Sequence, residues 1–220
     1  MAVRMSRAER REQTRQELIS AAEDCFVSRG FHASSVDEVA DRAGYTKGAV
    51  YSNFTAKEDL FFAVYERRVE QVLTEVVPGL LQLGAERAFD QLAAGALHRR
   101  DPDDGWRAVF FEFWAHVVRH PELRDRFAAI HARFLEPLAE GVRQLADDRG
   151  LALPSDVTAS QVAVAWNAME VGLVLERLTQ PQTVDVALAR RMGRLLLDAV
   201  LDTTQPSASN EGQQQDRSIR

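Results

Sequence analysis

Residues 35–57 read SVDEVADRAGYTKGAVYSNFTAK, and the fold follows from how this stretch is punctuated. Ser35 followed three residues on by Glu38 is a capping box, predicting a helix to Ala43 that stops at Gly44. A second short helix starts near Thr46 and reaches about Asn53. Thr55 through Glu58 forms another capping box, opening a long helix that lasts to Pro78. Two short helices joined by a tight turn have the dimensions of a helix-turn-helix. Val36, Val39 and Ala40 pack the first helix against a core, and Val50 and Phe54 anchor the second. Tyr45, Thr46, Lys47, Gly48, Ser52 and Asn53 are left facing outward, with Tyr51 at the edge. Gly48 permits close approach to a backbone or base edge. Hydroxyls suit phosphates, whereas Asn and Lys can read base edges. Lys57 sits in the first turn of the next helix, where the macrodipole already favours an anion. A phosphate is therefore the natural partner for its charge.

Outward from this segment, helical patterns are separated by Gly, Pro and Asp clusters, and nothing alternates as strands do. Arg10 to Arg29 forms a first helix with Leu18, Ala22, Cys25 and Phe26 on one buried stripe, closed by Gly30. Cys25 reads as a small core residue. Later helices are expected over Ala85–His98, Gly105–Arg119, Pro121–Asp148, Ser155–Thr179 and Thr183–Asp202, with breaks at Arg99–Asp104 and Gly150–Pro154. The ends, residues 1–9 and 203–220, read as a disordered arm and tail. The fold class is all-α, with helix-turn-helix residues 10–56 followed by a larger helical domain over 57–202.

Across the 220 residues, 27 basic and 33 acidic side chains give a net charge of −6, which taken alone argues mildly against a nucleic-acid partner. The distribution says otherwise. Only two basic residues are lysines, Lys47 and Lys57, and no acid lies between Gly44 and Lys57. The single cysteine excludes an intrachain disulfide and any multi-cysteine zinc site. No apolar run approaches the roughly 18 residues of a membrane span, and no signal peptide is evident, so a cytoplasmic protein without membrane association is expected.

From Gly30 to Leu60 the sequence resembles the signature of the tetracycline-repressor (TetR/AcrR) family. The glycine-plus-aromatic opening Gly30-Phe31, the Val39-Ala40…Ala43-Gly44 pair, Lys47-Gly48-Ala49-Val50-Tyr51 and Phe54-x-x-Lys57-Glu58-x-Leu60 fall in register. The match covers about residues 10 to 62. It implies operator binding as a dimer, with Ser35, Tyr51 and Lys57 holding phosphates and Thr46, Lys47, Gly48 and Asn53 facing the groove. Two departures concern the operator sequence: Tyr45 stands where the family usually has a small aliphatic residue, and Asn53 replaces a common histidine. Arg4, Arg7, Arg10 and Arg11 are either a minor-groove arm or a solvated tail.

For the larger domain the resemblance implies only ligand binding and dimerisation, and helical phasing supplies candidates. Over Gly105–Arg119, Trp106, Val109, Phe110, Phe113, Trp114 and Val117 form a buried stripe. Core packing and pocket lining suit Phe110, Phe113 and Trp114 equally. Glu112 projects opposite, as a solvent-facing partner of His116. In the next helix His131 lies near Phe127 and Phe134, as a satisfied core histidine first and a ligand contact second. Pro137 should kink that helix, which can open space for a ligand. Over Ser155–Thr179 one face carries Val162, Trp166, Met169, Glu170 and Leu173. Glu170 is read first as paired with Arg177 and second as a counter-charge for a cationic, partly apolar ligand among Trp114, Phe134 and Trp166. The other face, with Ala165, Ala168, Gly172 and Leu175, suits a subunit contact, and Leu188, Met192, Leu195 and Leu196 of the last helix complete it. Two such helices per subunit would build the four-helix dimer bundle that the resemblance implies.

The reading is a homodimeric regulator, most simply a repressor of pseudo-palindromic double-stranded operator DNA released by a small, largely apolar or aromatic effector. No cofactor and no metal is expected: the five histidines include no i, i+4 pair around a glutamate. The alternatives are a helical carrier or adaptor, or a bundle enzyme, with vestigial DNA binding.

Overall fold

Four helices begin on a hydroxyl that accepts the backbone N–H three residues on. Ser6, Ser35, Thr46 and Thr158 accept from Glu9, Glu38, Ala49 and Gln161, each at 3.2 Å. At Ser6, Ser35 and Thr158 the Glu or Gln side chain returns the bond to the cap's own N–H, at 2.6, 2.9 and 2.8 Å. Each cap contributes about 1 kcal/mol and sets where its helix begins.

The computed structural model describes residues 5–98 and 103–202, and no strand occurs among them. Its helices are α1 (Arg7–Arg29), α2 (Val36–Ala43), α3 (Lys47–Tyr51), α4 (Lys57–Gln71), α5 (Val77–Leu81), α6 (Ala85–His98), α7 (Asp103–Arg119), α8 (Arg124–Asp148), α9 (Ala159–Thr179) and α10 (Val186–Asp202). A π-helical turn, Val72–Val76, joins α4 to α5, and a 3₁₀ turn, Pro121–Leu123, precedes α8.

Several boundaries move from their expected places for local reasons. The Ser6 cap starts α1 at Arg7, so residues 7–9, expected in a disordered arm, are helical. Residues 1–4, 99–102 and 203–220 lie outside the described residues, and with them Arg4, most of the RRDPDD loop and the C-terminal tail. Before α4 the box slips by one residue: Asp59, not Glu58, accepts the N–H groups of Thr55 (2.9 Å) and Ala56 (3.1 Å). The Thr158 cap delays α9 from Ser155 to Ala159. At α10 the Asp185 carboxylate accepts the Leu188 N–H at 2.7 Å. Pro78 does not end the long helix. Its missing N–H is absorbed by the π turn, where Val77 bonds five residues back to Val72, and α5 carries on to Leu81.

Two apolar cores result. The first joins α1–α4 to α7 and the start of α8: Phe26, Phe31, Phe61 and Phe62 pack with Val109, Phe113, Phe127 and Ile130. Phe61 stacks on Phe113 with ring centroids 3.8 Å apart, and Phe31 meets Phe113 edge-on at 4.9 Å. The second core joins α6, the second half of α8, α9 and α10 around Phe89, Trp166, Val174 and Leu197. Packing thus ties the helix-turn-helix directly to α7, although α4, α5 and α6 come between them in the chain.

Within the first core Tyr65 Oη and His131 Nδ1 lie 2.8 Å apart. Burial holds the His131 imidazole below its ordinary value of 6.5 and pushes the Tyr65 phenol up, so a neutral ring accepts the phenol proton. One ring nitrogen of His131 is thereby satisfied within the protein. Because its folded pKa is depressed, the unfolded chain binds the proton more readily, and stability is lost as pH falls below about 6.5. Thermal unfolding of wild type and His131→Gln between pH 8 and pH 5 should show a shallower acid fall in the variant. Identical slopes would refute the assignment.

Candidate functional site

The turn between α2 and α3 is made by Gly44, whose φ of +74° places it in the left-handed region. Its N–H and that of Tyr45 close back onto Asp41 and Ala40 carbonyls at 3.2 and 2.9 Å. Val50 and Phe54, both buried, then seat α3 on the first core. The opposite face of this short helix is exposed: Thr46, Lys47, Gly48, Tyr51 and Ser52 all lie on it, with Tyr51 at 47 % exposure. Lys47 Nζ is 2.8 Å from Asp37, which raises its pKa through hydrogen bonding and charge. Ser35 is exposed at the start of α2, its oxygen accepting from Glu38 while its hydroxyl proton remains available.

Three residues of the sequence-derived set are placed differently. Tyr45 is half-buried against the first core, and its phenol bonds the Glu17 carboxylate of α1. It braces the turn instead of projecting from it. Asn53 is half-buried too, with its amide returned to the Ala49 carbonyl at 2.9 Å. Lys57 differs most. Its ammonium donates to the carbonyls of Phe31 (2.8 Å), Ser34 (3.0 Å) and His32 (3.4 Å), and it lies 4.4 Å over the Phe31 ring. Desolvation lowers its pKa. The carbonyls of the α1–α2 turn thus supply oxygen partners for a lysine at a helix start.

Glu112 also departs from its expected role. Its two carboxylate oxygens accept the N–H groups of Phe31 and His32, each at 2.8 Å. His116 lies instead 3.4 Å from Glu58 on α4 and stacks on His120 at 3.9 Å.

The expected ligand residues fall into separate places. Phe113 is fully buried, and Phe110, Trp114, His131 and Phe134 pack against the first core. Trp166 and Met169 belong to the second, Trp166 seated against Phe89 at 4.7 Å and over Gly193, where an added Cβ would collide with the indole. Neither oxygen of the buried Glu170 has a hydrogen-bond partner among the described residues, from Arg177 or elsewhere. Burial pushes its carboxyl up to about 7, opposed by the Arg107 charge. Instead of one aromatic pocket among these groups, an apolar cavity of about 80 Å³ lies between α5, α6 and α8. Val72, Val76, Val77, Leu80, Leu81, Ala88, Phe89, Leu92, Phe134, Pro137, Leu138 and Gly141 line it, and Gln144 is the polar side chain on its wall. Phe134 is the member shared with the sequence-derived set. The signal available in sequence was the pair of helix irregularities, Pro78 with its valines and Pro137, between which the cavity opens.

On α9, Val164, Ala165, Ala168, Gly172 and Leu175 are exposed, as is Leu195 on α10. Met192 is half-buried, and Leu188 and Leu196 pack partly onto their own second core.

Comparison with known proteins agrees with this geometry. Residues 18–64 match the model of bacterial regulatory proteins of the tetR family, and residues 85–202 match the C-terminal domain of BetI-type transcriptional repressors. The HTH-type transcriptional repressor BepR of Brucella suis biovar 1 is 40 % identical over 196 residues, covering 84 % of this chain and 90 % of that protein. The HTH-type transcriptional activator FasR of Mycolicibacterium smegmatis is 42 % identical over 66 residues, 30 % of this chain and 30 % of its own length. A regulator from Saccharomonospora viridis, solved in complex with choline, has the same fold at 19 % identity, with a TM-score of 0.69 over 86 % of this chain and 98 % of that one. With a buried-backed α3 presenting hydroxyls and one lysine to solvent, and both halves matched in order, the chain belongs to the tetR family of DNA-binding transcriptional regulators.

Proposed function

We propose that the protein is a homodimeric repressor whose paired α3 helices enter successive major grooves of a pseudo-palindromic operator. A small, largely apolar effector in the cavity between α5, α6 and α8 releases it. The observation that carries the DNA-binding half is the exposed, acid-free face of α3, with Lys47 within it, held by the buried Val50 and Phe54. Thr46, Gly48 and Ser52 let that face approach closely, and Ser35 and Tyr51 suit phosphates.

The apolar face of α9 and α10 supports dimerisation: Val164 and Leu175 are about half exposed, as is Leu195, which a lone subunit would leave in water. The cavity supports an effector without charge. No carboxylate lines it, Glu170 included, so a cation such as the choline held by the Saccharomonospora regulator would find no counter-charge there. At about 80 Å³ the cavity is smaller than the roughly 150 Å³ that holds a benzene ring. An effector must therefore part its walls, one of which is the π turn and α5 at the end of the helix that carries the helix-turn-helix. The effector shifts the equilibrium because it binds the parted state better than the DNA-bound one.

Sequencing genomic fragments retained by the purified protein tests the core of this reading, and a protein that ignores all fragments at low salt is a carrier and not a regulator. On a retained operator, Tyr51→Ala should weaken binding and lower the salt slope by about one, the signature of a lost phosphate contact. Lys47→Ala should cost about 1–3 kcal/mol and relax preference at one base position if it reads a base. Ala88→Phe, which fills the cavity, should lower operator affinity without any effector; unchanged affinity argues against the cavity as the control site. In sedimentation, Leu175→Glu with Leu195→Glu should give monomers that no longer hold the operator, and a dimer surviving both changes would rule out this face.

A further inference from the structure

We propose that Glu112 is a positioning residue for DNA recognition: from α7 it grips the α1–α2 turn and fixes the angle at which α2 and α3 are presented. The inference rests on the regulator reading above.

The turn from Gly30 to Ser34 is held from two sides by opposite charges. Glu112 takes the two successive N–H groups of Phe31 and His32, one on each carboxylate oxygen, at 2.8 Å. Lys57 takes the carbonyls of Phe31, His32 and Ser34 from the α4 side. The backbone dipoles of the turn thus run between an anion on one element and a cation on another. Charge-assisted bonds of this kind are short and directional, so they set orientation as well as attachment.

Gly30 shows that the approach is built in. Its φ of +86° disfavours any side chain, and a Cβ there would lie 2.7 Å from a Glu112 oxygen. The grip also transmits to the reading helices. Ser34 ties the turn internally through its bonds to the Gly30 and Cys25 carbonyls (2.7 and 3.0 Å), and the next residue, Ser35, caps α2. On its inner face the turn plants Phe31 edge-on against Phe113 of the same α7 helix. A displacement of α7 therefore moves the start of α2 and, through the Gly44 turn, α3. The far side of α7 faces the effector domain: Trp114 meets His131 at 5.2 Å, His131 meets Phe134 at 6.0 Å, and Phe134 lines the cavity.

A bond that only stabilised the fold would lower the melting temperature and operator affinity together. A bond that sets the angle of the helix-turn-helix controls which half-site spacing the dimer accepts, because one base pair changes both separation and rotation of the half-sites. The probe is a duplex oligonucleotide selected by the wild-type protein from a random pool, with derivatives whose central spacer is one or two base pairs longer or shorter. Wild type should prefer one spacing. In Glu112→Ala the preference over spacings shifted by one base pair should fall about tenfold, with smaller loss on the best site. Glu112→Gln keeps one acceptor and should fall between. Being isosteric, it carries the test should the alanine variant lose its fold. Wild-type spacing ratios in Glu112→Gln, with melting temperature lowered, would reduce Glu112 to a structural bond and overturn the inference alone. Failure of the wild-type protein to select any DNA overturns the regulator reading, and this inference with it.

Discussion

The backbone of the α1–α2 turn cannot satisfy itself, and much of the molecule is arranged around that constraint. A short turn beside Phe31, which is 1 % exposed, puts polar backbone groups against an apolar core, where an unpaired N–H or C=O is costly. Its partners come from elements 26 and 81 residues away, Lys57 and Glu112. Supplying them requires α4 and α7 to lie on either side of the turn, and that arrangement closes the first core. The stacking of Phe61 on Phe113 joins the same two helices from the apolar side. Polar satisfaction and aromatic packing therefore favour the same placement, which is how the five-residue α3, with little stability of its own, is held in place.

What sequence revealed, and what it did not, divides by range. Ser35 with Glu38, Gly44, and the anchors Val50 and Phe54 were legible because each acts on neighbours within four residues or through a helical stripe. The roles of Tyr45, Lys57 and Glu112 were not, because their partners lie 28, 26 and 81 residues away. A cation at a helix start, such as Lys57, wants an oxygen ligand. Three carbonyls of the α1–α2 turn supply it. Tyr45 departs from the small aliphatic common at its position, and Glu17 across from it supplies the acceptor a buried-edge phenol requires.

In the larger domain, periodicity identified which faces are apolar but not what they face. On α7, Phe113 is core, met by Phe26 of α1, Phe31 of the α1–α2 turn and Phe61 of α4, while Phe110 and Trp114 are partly buried against it. Space appeared where helices depart from regularity, at the π turn before Pro78 and at Pro137. A regular helix pair interdigitates at near-crystalline density. Where one helix widens and its neighbour carries an internal proline, side chains do not fill the gap completely, and a cavity remains. Glu170 shows the converse, a carboxylate stranded inside regular packing and raised to about 7 by that packing.

Charge takes its meaning from the same geometry. The chain carries −6 overall, and of its two lysines one is committed to the α1–α2 turn and the other shares its charge with Asp37. Little free positive charge then faces a phosphate from the centre of the motif. Non-specific affinity scales with the number of phosphates neutralised, so it is weak in such a protein. In the proposed dimer, discrimination among sites comes from the shape and spacing of what the paired α3 helices present, since coulombic attraction does not depend on sequence. A rigid turn matters more under that condition than it would in a strongly basic protein, where attraction to any duplex would mask small errors of angle. The acid that holds the turn, Glu112, thus serves DNA recognition although its own charge opposes DNA. It spends that charge on two backbone amides, in a position set by α7 and not by the groove.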